Sequence, residues 1–294
     1  MKIGIYGQFY HQNSETYIQG ILAALKESPV EVLIEKNFRD MIKAHEAMDT
    51  EVSSFGTFTE LDGSYDLFFS IGGDGTILKA VTFVRDLDIP IVGINTGRLG
   101  FLATIQKEKI TESIRQILNG KYSLSSRSLI SVHTSPNSEE IGELNFALNE
   151  VAINRKNTTS MIKVDTLVNS EYLTSYWSDG LIVSTPTGST GYSLSCGGPI
   201  IDPSTSSLVL TPIAPHNLNA RPFVIPDNSE ITLKVSGREE SYLISLDSRI
   251  ATLTNPTTIR ITRAAFTIKM VQLYDDSFIN TLREKLLWGE DKRN

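Results

Sequence analysis

The chain has 294 residues, 40% of them hydrophobic and 21% charged, the balance of an ordinary globular protein, and its length predicts about two domains. Twenty-seven Lys and Arg against 34 Asp and Glu leave a formal net charge of −7 with no dense basic block, which argues against nucleic acid or an anionic membrane as partner. A lone cysteine, Cys196, excludes an intrachain disulfide and paired-cysteine metal spacing. The expected compartment is reducing and cytoplasmic: the opening MKIGIYGQFYHQNSE is too briefly apolar for a secretory leader, and no run approaches the ~18 apolar residues of a membrane span.

In chain order, KIGIY reads as a strand. SETYIQGILAALKES then spaces Tyr17, Ile18, Ile21, Leu22 and Leu25 at helical period, and VEVLIEK is a strand again. NFRDMIKAHEAM predicts a second helix, DLFFSI a third strand, and TILKAVTFVRD a helix carrying Ile77, Leu78, Val81, Phe83 and Val84. IPIVGIN predicts a fourth strand and KITESIRQILNG a helix closed by Gly120. Strands alternating with helices imply parallel βαβ units. From about Tyr122 the texture changes to short β segments: SLISVHT, ELNFALNEVAINR, MIKVDTLVN, LVLTPI, EITLKVS, YLISLD and TIRITRAAFTIKMVQL. SFINTLREKLLW closes with Phe278, Ile279, Leu282, Leu286 and Leu287 on one helical stripe. The expected architecture is therefore α/β, Rossmann-like and mostly parallel, over residues 1–120, and all-β over 121–265. A tail over 266–294 is expected to pack its helix back on the first domain.

One stretch, DLFFSIGGDGTILKA, asks for chemistry. A buried strand, a glycine-rich turn and a helix bring backbone N–H groups to a point that no side chain crowds, where the helix N-terminus favours an anion. Ligands of open α/β sheets gather at that edge. Gly72, Gly73 and Gly75 suit a phosphate, but Asp74 among them would repel one unless a cation or a hydroxyl proton stood between. Asp74 is therefore either a reacting group or a helix N-cap toward Thr76 and Ile77. The stretch has neither the Walker Lys-Ser/Thr nor the GxGxxG spacing.

Four further segments follow in order: INTGRLGFL (94–102), LNEVAI (148–153), SDGLIVSTPTGSTGYSLSCGGPI (178–200) and TPIAPHNLNARP (211–222). Together with GGDGT they resemble the NAD kinase family, over about Lys2 to Phe266. GGDG alone also fits lipid kinases; the long DGLIVSTPTGSTGYSLSCGGP run is the specific part.

The resemblance implies transfer of the terminal phosphoryl group of ATP, or another donor, to the adenosine 2′-hydroxyl of NAD. Mg²⁺ or another divalent cation would assist, in a homodimer or homotetramer. It implies Asp74 as general base, with Gly72, Gly73, Gly75 and Thr76 around phosphate. Asn149 and Glu150 would grip the adenosine ribose, and Asp179 would lie by the nicotinamide end. Thr187, Thr190, Gly191, Tyr192 and Ser195 would contact adenine and phosphates, and Asp247 would reach the site from a late turn. No protein metal ligands are implied. Two departures stand out: Ser248 follows Asp247 where glycine is usual, which puts the place of Asp247 in doubt, and Gly191 stands where alanine is frequent, which should loosen the adenine pocket. Read without the resemblance, Asn149-Glu150 is surface, SDG a turn, and TPTGSTGYS a bulged strand turn. Cys196 has no base nearby and reads as packing. Arg221 could order its loop or touch phosphate, and His216 shares its motif; His11, His45 and His133 default to surface or core. The dinucleotide would be expected in a cleft between domains. Two other classes remain as alternatives: a lipid or sugar kinase, which would need an apolar acceptor pocket or basic membrane-facing patch, and a non-catalytic dinucleotide sensor, which would tolerate loss of Asp74.

Overall fold

The structure, a computed structural model, describes residues 1–8, 14–44, 52–157 and 160–288. His11, His45 and the end of the helix predicted for NFRDMIKAHEAM lie outside them. The chain divides into two compact units, Met1–Ser126 with Ile268–Asn294, and Arg127–Thr267.

The first unit is built on parallel strands β1 (Lys2–Gly7), β2 (Glu31–Glu35), β3 (Gly56–Phe58), β4 (Leu67–Gly72) and β5 (Ile91–Asn95), in the order β3-β2-β1-β4-β5. Helices α1 (Ser14–Lys26), α2 (Lys36–Lys43), α3 (Asp74–Val84) and α4 (Ile110–Leu118) connect and follow them. Every residue of β4 is buried, because a parallel strand covered on both faces needs a continuous apolar run rather than alternation. On one face Ile3, Ile5, Phe69 and Val92 pack with Ile18, Ile21 and Leu22 of α1 and Ile114 and Ile117 of α4. On the other, the Phe83 ring of α3 lies 5.0 Å from Tyr6 and 6.1 Å from Phe68. Gly72 ends β4 opposite Asn95, the end of β5, so the loops leaving both strands emerge side by side. That adjacency positions the GGDG turn against GRLGFL.

The second unit stacks two antiparallel layers. One contains β6 (Ser123–Ser135, which begins in the first unit), β7 (Phe146–Ala147), β9 (Ile162–Val168), β10 (Glu171–Ser178), β14 (Ile231–Ser236) and the start of β17 (Thr258–Gln272). The other is β13-β12-β11-β8-β15-β16, made of β8 (Glu150–Arg155), β11 (Gly180–Ser184), β12 (Ser207–Ile213), β13 (Phe223–Pro226), β15 (Ser241–Leu246) and β16 (Arg249–Thr254). Val151, Ile153, Leu181 and Val183 of one layer share a core with Val164, Leu233, Ile259 and Ile261 of the other, as in a β-sandwich. The far end of β17 belongs to the first unit, where Met270 pairs in parallel with Ile91, and is followed there by α6 (Phe278–Leu286). The α/β and all-β classes and the closing helix are thus as the pattern predicted.

Local differences are instructive. The single strand expected over ELNFALNEVAINR is split between β7 and β8, because the amides of Leu148, Asn149 and Glu150 turn to the Asp247 carboxylate. TPTGSTGYS is not a bulged strand: β11 gives way to a 3₁₀ turn, Thr187–Thr190, and one turn of helix, α5 (Tyr192–Ser195). On α6 the expected stripe is narrower, since Leu282 is buried but Ile279 and Leu287 are 61% and 62% exposed. Ile279 is one residue, about 100°, round from Phe278, and Leu287 leaves the helix in the left-handed conformation.

Candidate functional site

In the first unit, the turn after β4 requires its glycine. Gly72 has φ +153°, and a Cβ there would collide with the Thr76 hydroxyl, which is buried and has no hydrogen-bond partner among the described residues. Gly73 and Gly75 face open space. Gly73 is the N-cap of α3 and gives no side-chain bond; the Thr76 amide donates to the Gly73 carbonyl (2.9 Å), and the amides of Asp74 and Gly75 are left for a ligand or water.

The N-cap reading of Asp74 is therefore corrected. Its carboxylate turns to the neighbouring loop, where Oδ2 accepts from the Phe101 amide (2.8 Å) and Oδ1 from those of Leu102 and Ala103 (3.0 Å each). A carboxylate offers about four lone-pair directions, and the one that no described residue fills is on Oδ2. Gly100 is the second glycine the site requires, because a Cβ there would collide with the same carboxylate. The three amides and Gly100 were missed as Asp74 partners in the sequence; the only signal was the second glycine of GRLGFL.

In the second unit, Glu150 opens β8 directly after Asn149 and pairs with Ser184 at the end of β11. The turn after β11 is tied onto them: Thr185 Oγ1 donates to the Leu148 carbonyl (2.6 Å) and accepts from the Gly188 amide (3.1 Å), while the Thr185 amide donates to the Asn149 carbonyl (2.9 Å). That knot brings Gly191 to the pair, its Cβ position lying 3.3 Å from Glu150 Oε2 and 3.6 Å from Asn149 Nδ2. Asn149 Oδ1 and Glu150 Oε2 are both buried and without a hydrogen-bond partner among the described residues. Burial pushes the Glu150 carboxyl up to about 8; the nearby Asp247 charge adds to the rise, and the Tyr192 amide, which donates to it, opposes it.

Asp247 is buried beneath the pair, accepting from the amides of Leu148 (3.0 Å), Asn149 (2.8 Å) and Glu150 (3.3 Å), with the Arg249 guanidinium 3.9 Å away. Burial raises it above the usual carboxylate range against the pull of those amides and of Arg249. The turn joining β15 to β16 places its positive φ, +53°, on Asp247 itself, so the backbone makes no demand for glycine at Ser248.

Tyr192, 41% exposed, has Cys196, Asp179 and Glu150 as charged or titratable neighbours, and burial chiefly raises its phenol. Asp179 pairs with Arg155 at 3.1 Å, a partner the sequence did not suggest. Thr187 is buried, and Thr190 donates to its carbonyl (3.3 Å). Ser195 is exposed on α5, and Cys196 is half-buried, its thiol raised by burial. Arg221 bonds the carbonyls of Leu218 and Ala220, ordering its own loop. Among the described residues no group of three His, Cys, Asp or Glu side chains could hold a metal ion, and no helix is long and apolar enough to cross a membrane.

The fold has solved counterparts among kinases. It superposes on yeast NADH kinase complexed with NADH at a TM-score of 0.84 and 22% identity, covering 99% of this chain and 89% of that one. It also superposes on an NAD kinase from Archaeoglobus fulgidus in complex with ATP, at 0.75 and 24%, covering 98% and 99%. The class is thus the two-domain kinase fold.

Sequence narrows it. The chain matches the ATP-NAD kinase N-terminal domain over residues 3–122 and the ATP-NAD kinase C-terminal domain over residues 148–273. Over the full length of both chains it is 61% identical to the NAD kinase of Christiangramia forsetii, 54% to that of Flavobacterium johnsoniae and 43% to that of Cytophaga hutchinsonii. The chain belongs to the NAD kinase family, phosphotransferases that act on a hydroxyl group.

Proposed function

We infer that the protein transfers the terminal phosphoryl group of ATP to the adenosine 2′-hydroxyl of NAD, giving NADP, with Asp74 as general base. The observation that carries this reading is the pair of buried, unpartnered oxygens on Asn149 and Glu150 beside Gly191. A buried acceptor left unmade costs about 1–3 kcal/mol, and the hydroxyls of a ribose are donors of the kind that would relieve these two. Glu150, carrying a proton near neutrality, can also donate to a ribose oxygen.

In this reading Gly191, Tyr192, Thr187, Thr190 and Ser195 receive adenine and phosphates, and Asp179, held by Arg155, faces the nicotinamide end. Asp247 fixes the backbone of the Asn-Glu pair. In the first unit, the amides of Asp74 and Gly75 receive phosphate, and the open direction on Asp74 Oδ2 takes the hydroxyl proton as the oxygen–phosphorus bond forms. Mg²⁺ would neutralise phosphate charge. With no three-ligand cluster among the described residues, it would be carried mainly by the phosphates and water. Assembly as a cytoplasmic homodimer or homotetramer completes the reading. The test is a coupled assay for NADP from NAD, ATP and Mg²⁺: NADP formation is expected, and its absence with ATP and with polyphosphate alike would overturn the assignment.

A further inference from the structure

We propose that the C-terminal helix α6, through Lys285 and Phe278, sets the position of the Asp74 carboxylate, making both side chains positioning residues for phosphoryl transfer. The proposal rests on Asp74 being the base. Because Asp74 is bonded by three successive amides of the loop, Phe101, Leu102 and Ala103, the carboxylate stands wherever that loop stands. Gly100 removes any slack, since there is no room for even a methyl group between loop and carboxylate.

The loop is held from two sides. From within, buried Asn95 donates through Nδ2 to the carbonyls of Arg98 (2.6 Å) and Ala103 (3.4 Å) and accepts the Gly97 amide on Oδ1 (2.7 Å). None of these bonds reaches Leu99 or the Phe101 ring. Those belong to α6: Lys285 Nζ donates to the Leu99 carbonyl and stands 5.6 Å over the Phe101 ring, and the Phe278 ring lies 6.4 Å from it at 45°. Phe278 and Lys285 are seven residues apart, two turns along one helix face, with Leu282 buried between them. The helix is fixed at its start by the Ser277 cap on the Asn280 amide (3.1 Å) and near its end by Gln106, which donates to Glu284 (3.2 Å). A cation over an aromatic ring and a charge-assisted bond to a carbonyl are both directional, so the contact fixes where Leu99 and Phe101 sit.

Misplacing a reacting group by about 1 Å can cost on the order of a hundredfold in rate. Lys285→Met should lower kcat roughly tenfold, with KM for NAD and the melting temperature little changed, and should speed hydrogen–deuterium exchange at the amides of Phe101, Leu102 and Ala103. Lys285→Arg, which keeps a donor and a cation over the ring, should restore both. In an Asp74→Asn background Lys285→Met should remove little further rate, because the two act as one unit. Phe278→Leu should move kcat and exchange in the same direction, and decides the matter if Lys285→Met fails to fold. Wild-type kcat and exchange in Lys285→Met, a raised KM at unchanged kcat, or an equal loss in both backgrounds would overturn the proposal while leaving Asp74 as base. Near-wild-type turnover of Asp74→Asn would overturn the base assignment and this proposal together.

Discussion

In the first unit Asp74 accepts the amides of three successive residues, Phe101 to Ala103; in the second, Asp247 accepts those of Leu148 to Glu150. Each carboxylate accepts two bonds on one oxygen and one on the other, leaving a single lone-pair direction. The difference lies in what meets that direction. For Asp247, whose side chain is 4% exposed, it is the Arg249 guanidinium, itself spent on the carbonyls of Leu144 and Phe146. For Asp74, half-exposed beside glycines that face open space, no side chain of the described residues is bonded there. The same backbone clamp thus makes a support in one place and a group available for reaction in the other; hydrogen-bond count alone does not separate the two roles.

The largest effect should come from exchanging one oxygen in each clamp. Asp74→Asn should lower kcat about 10²- to 10⁴-fold, the usual contribution of a general base. Asp247→Asn should keep kcat within a few fold but lower stability by about 1–3 kcal/mol, since the new amide group faces a donor. Steady-state kinetics and urea melts on both variants check this, and equal rate losses would erase the distinction. Gly100→Ala comes next: its methyl group displaces the Asp74 carboxylate, so kcat should drop on the order of a hundredfold with the second unit untouched.

A smaller effect sharpens the comparison inside the second unit. Between about pH 4.5 and 8 folded Glu150 holds a proton that the unfolded chain releases, so its contribution to stability is full below the unfolded value and is lost as pH rises toward the folded one. Urea melts of the ligand-free protein at pH 5.5 and 8.5 should show stability falling. Glu150→Gln should flatten that slope and weaken NAD binding roughly three- to tenfold, about 1 kcal/mol for a neutral hydrogen bond, as read by calorimetry. The smallest effect is expected for Ser248→Gly, within about 0.5 kcal/mol in thermal melts, because the positive φ is on Asp247.

How much of this was legible follows from distance along the chain. The GGDG turn is local, strand, glycines and helix in succession, and its geometry could be argued from neighbours. The burial of β4 and the change to antiparallel strands were likewise written in short-range pattern. The partners of Asp74 were not: they lie 27 to 29 residues on, in a different loop, so local rules left a cap standing as an alternative to a reacting group. For Asn149, Glu150 and Asp247, periodicity gave only strands and turns, and the roles expected of them came from the resemblance. It could not say that Asp247 bonds backbone rather than open solvent, since those bonds depend on how β15 pairs with β8. Ile279 was misplaced for a plainer reason: a helical stripe read from apolar residues alone ignores what the helix packs against.

The bonds from Asp247 to residues 148–150 span 97 to 99 positions. A ribosome adding about 5–20 residues per second therefore finishes the Asn-Glu pair roughly 5–20 s before making the side chain that orders it. During that interval the nascent chain already carries the Asn149-Glu150 segment without the clamp that shapes it. The ordering of that segment is in this way deferred to a late stage of synthesis.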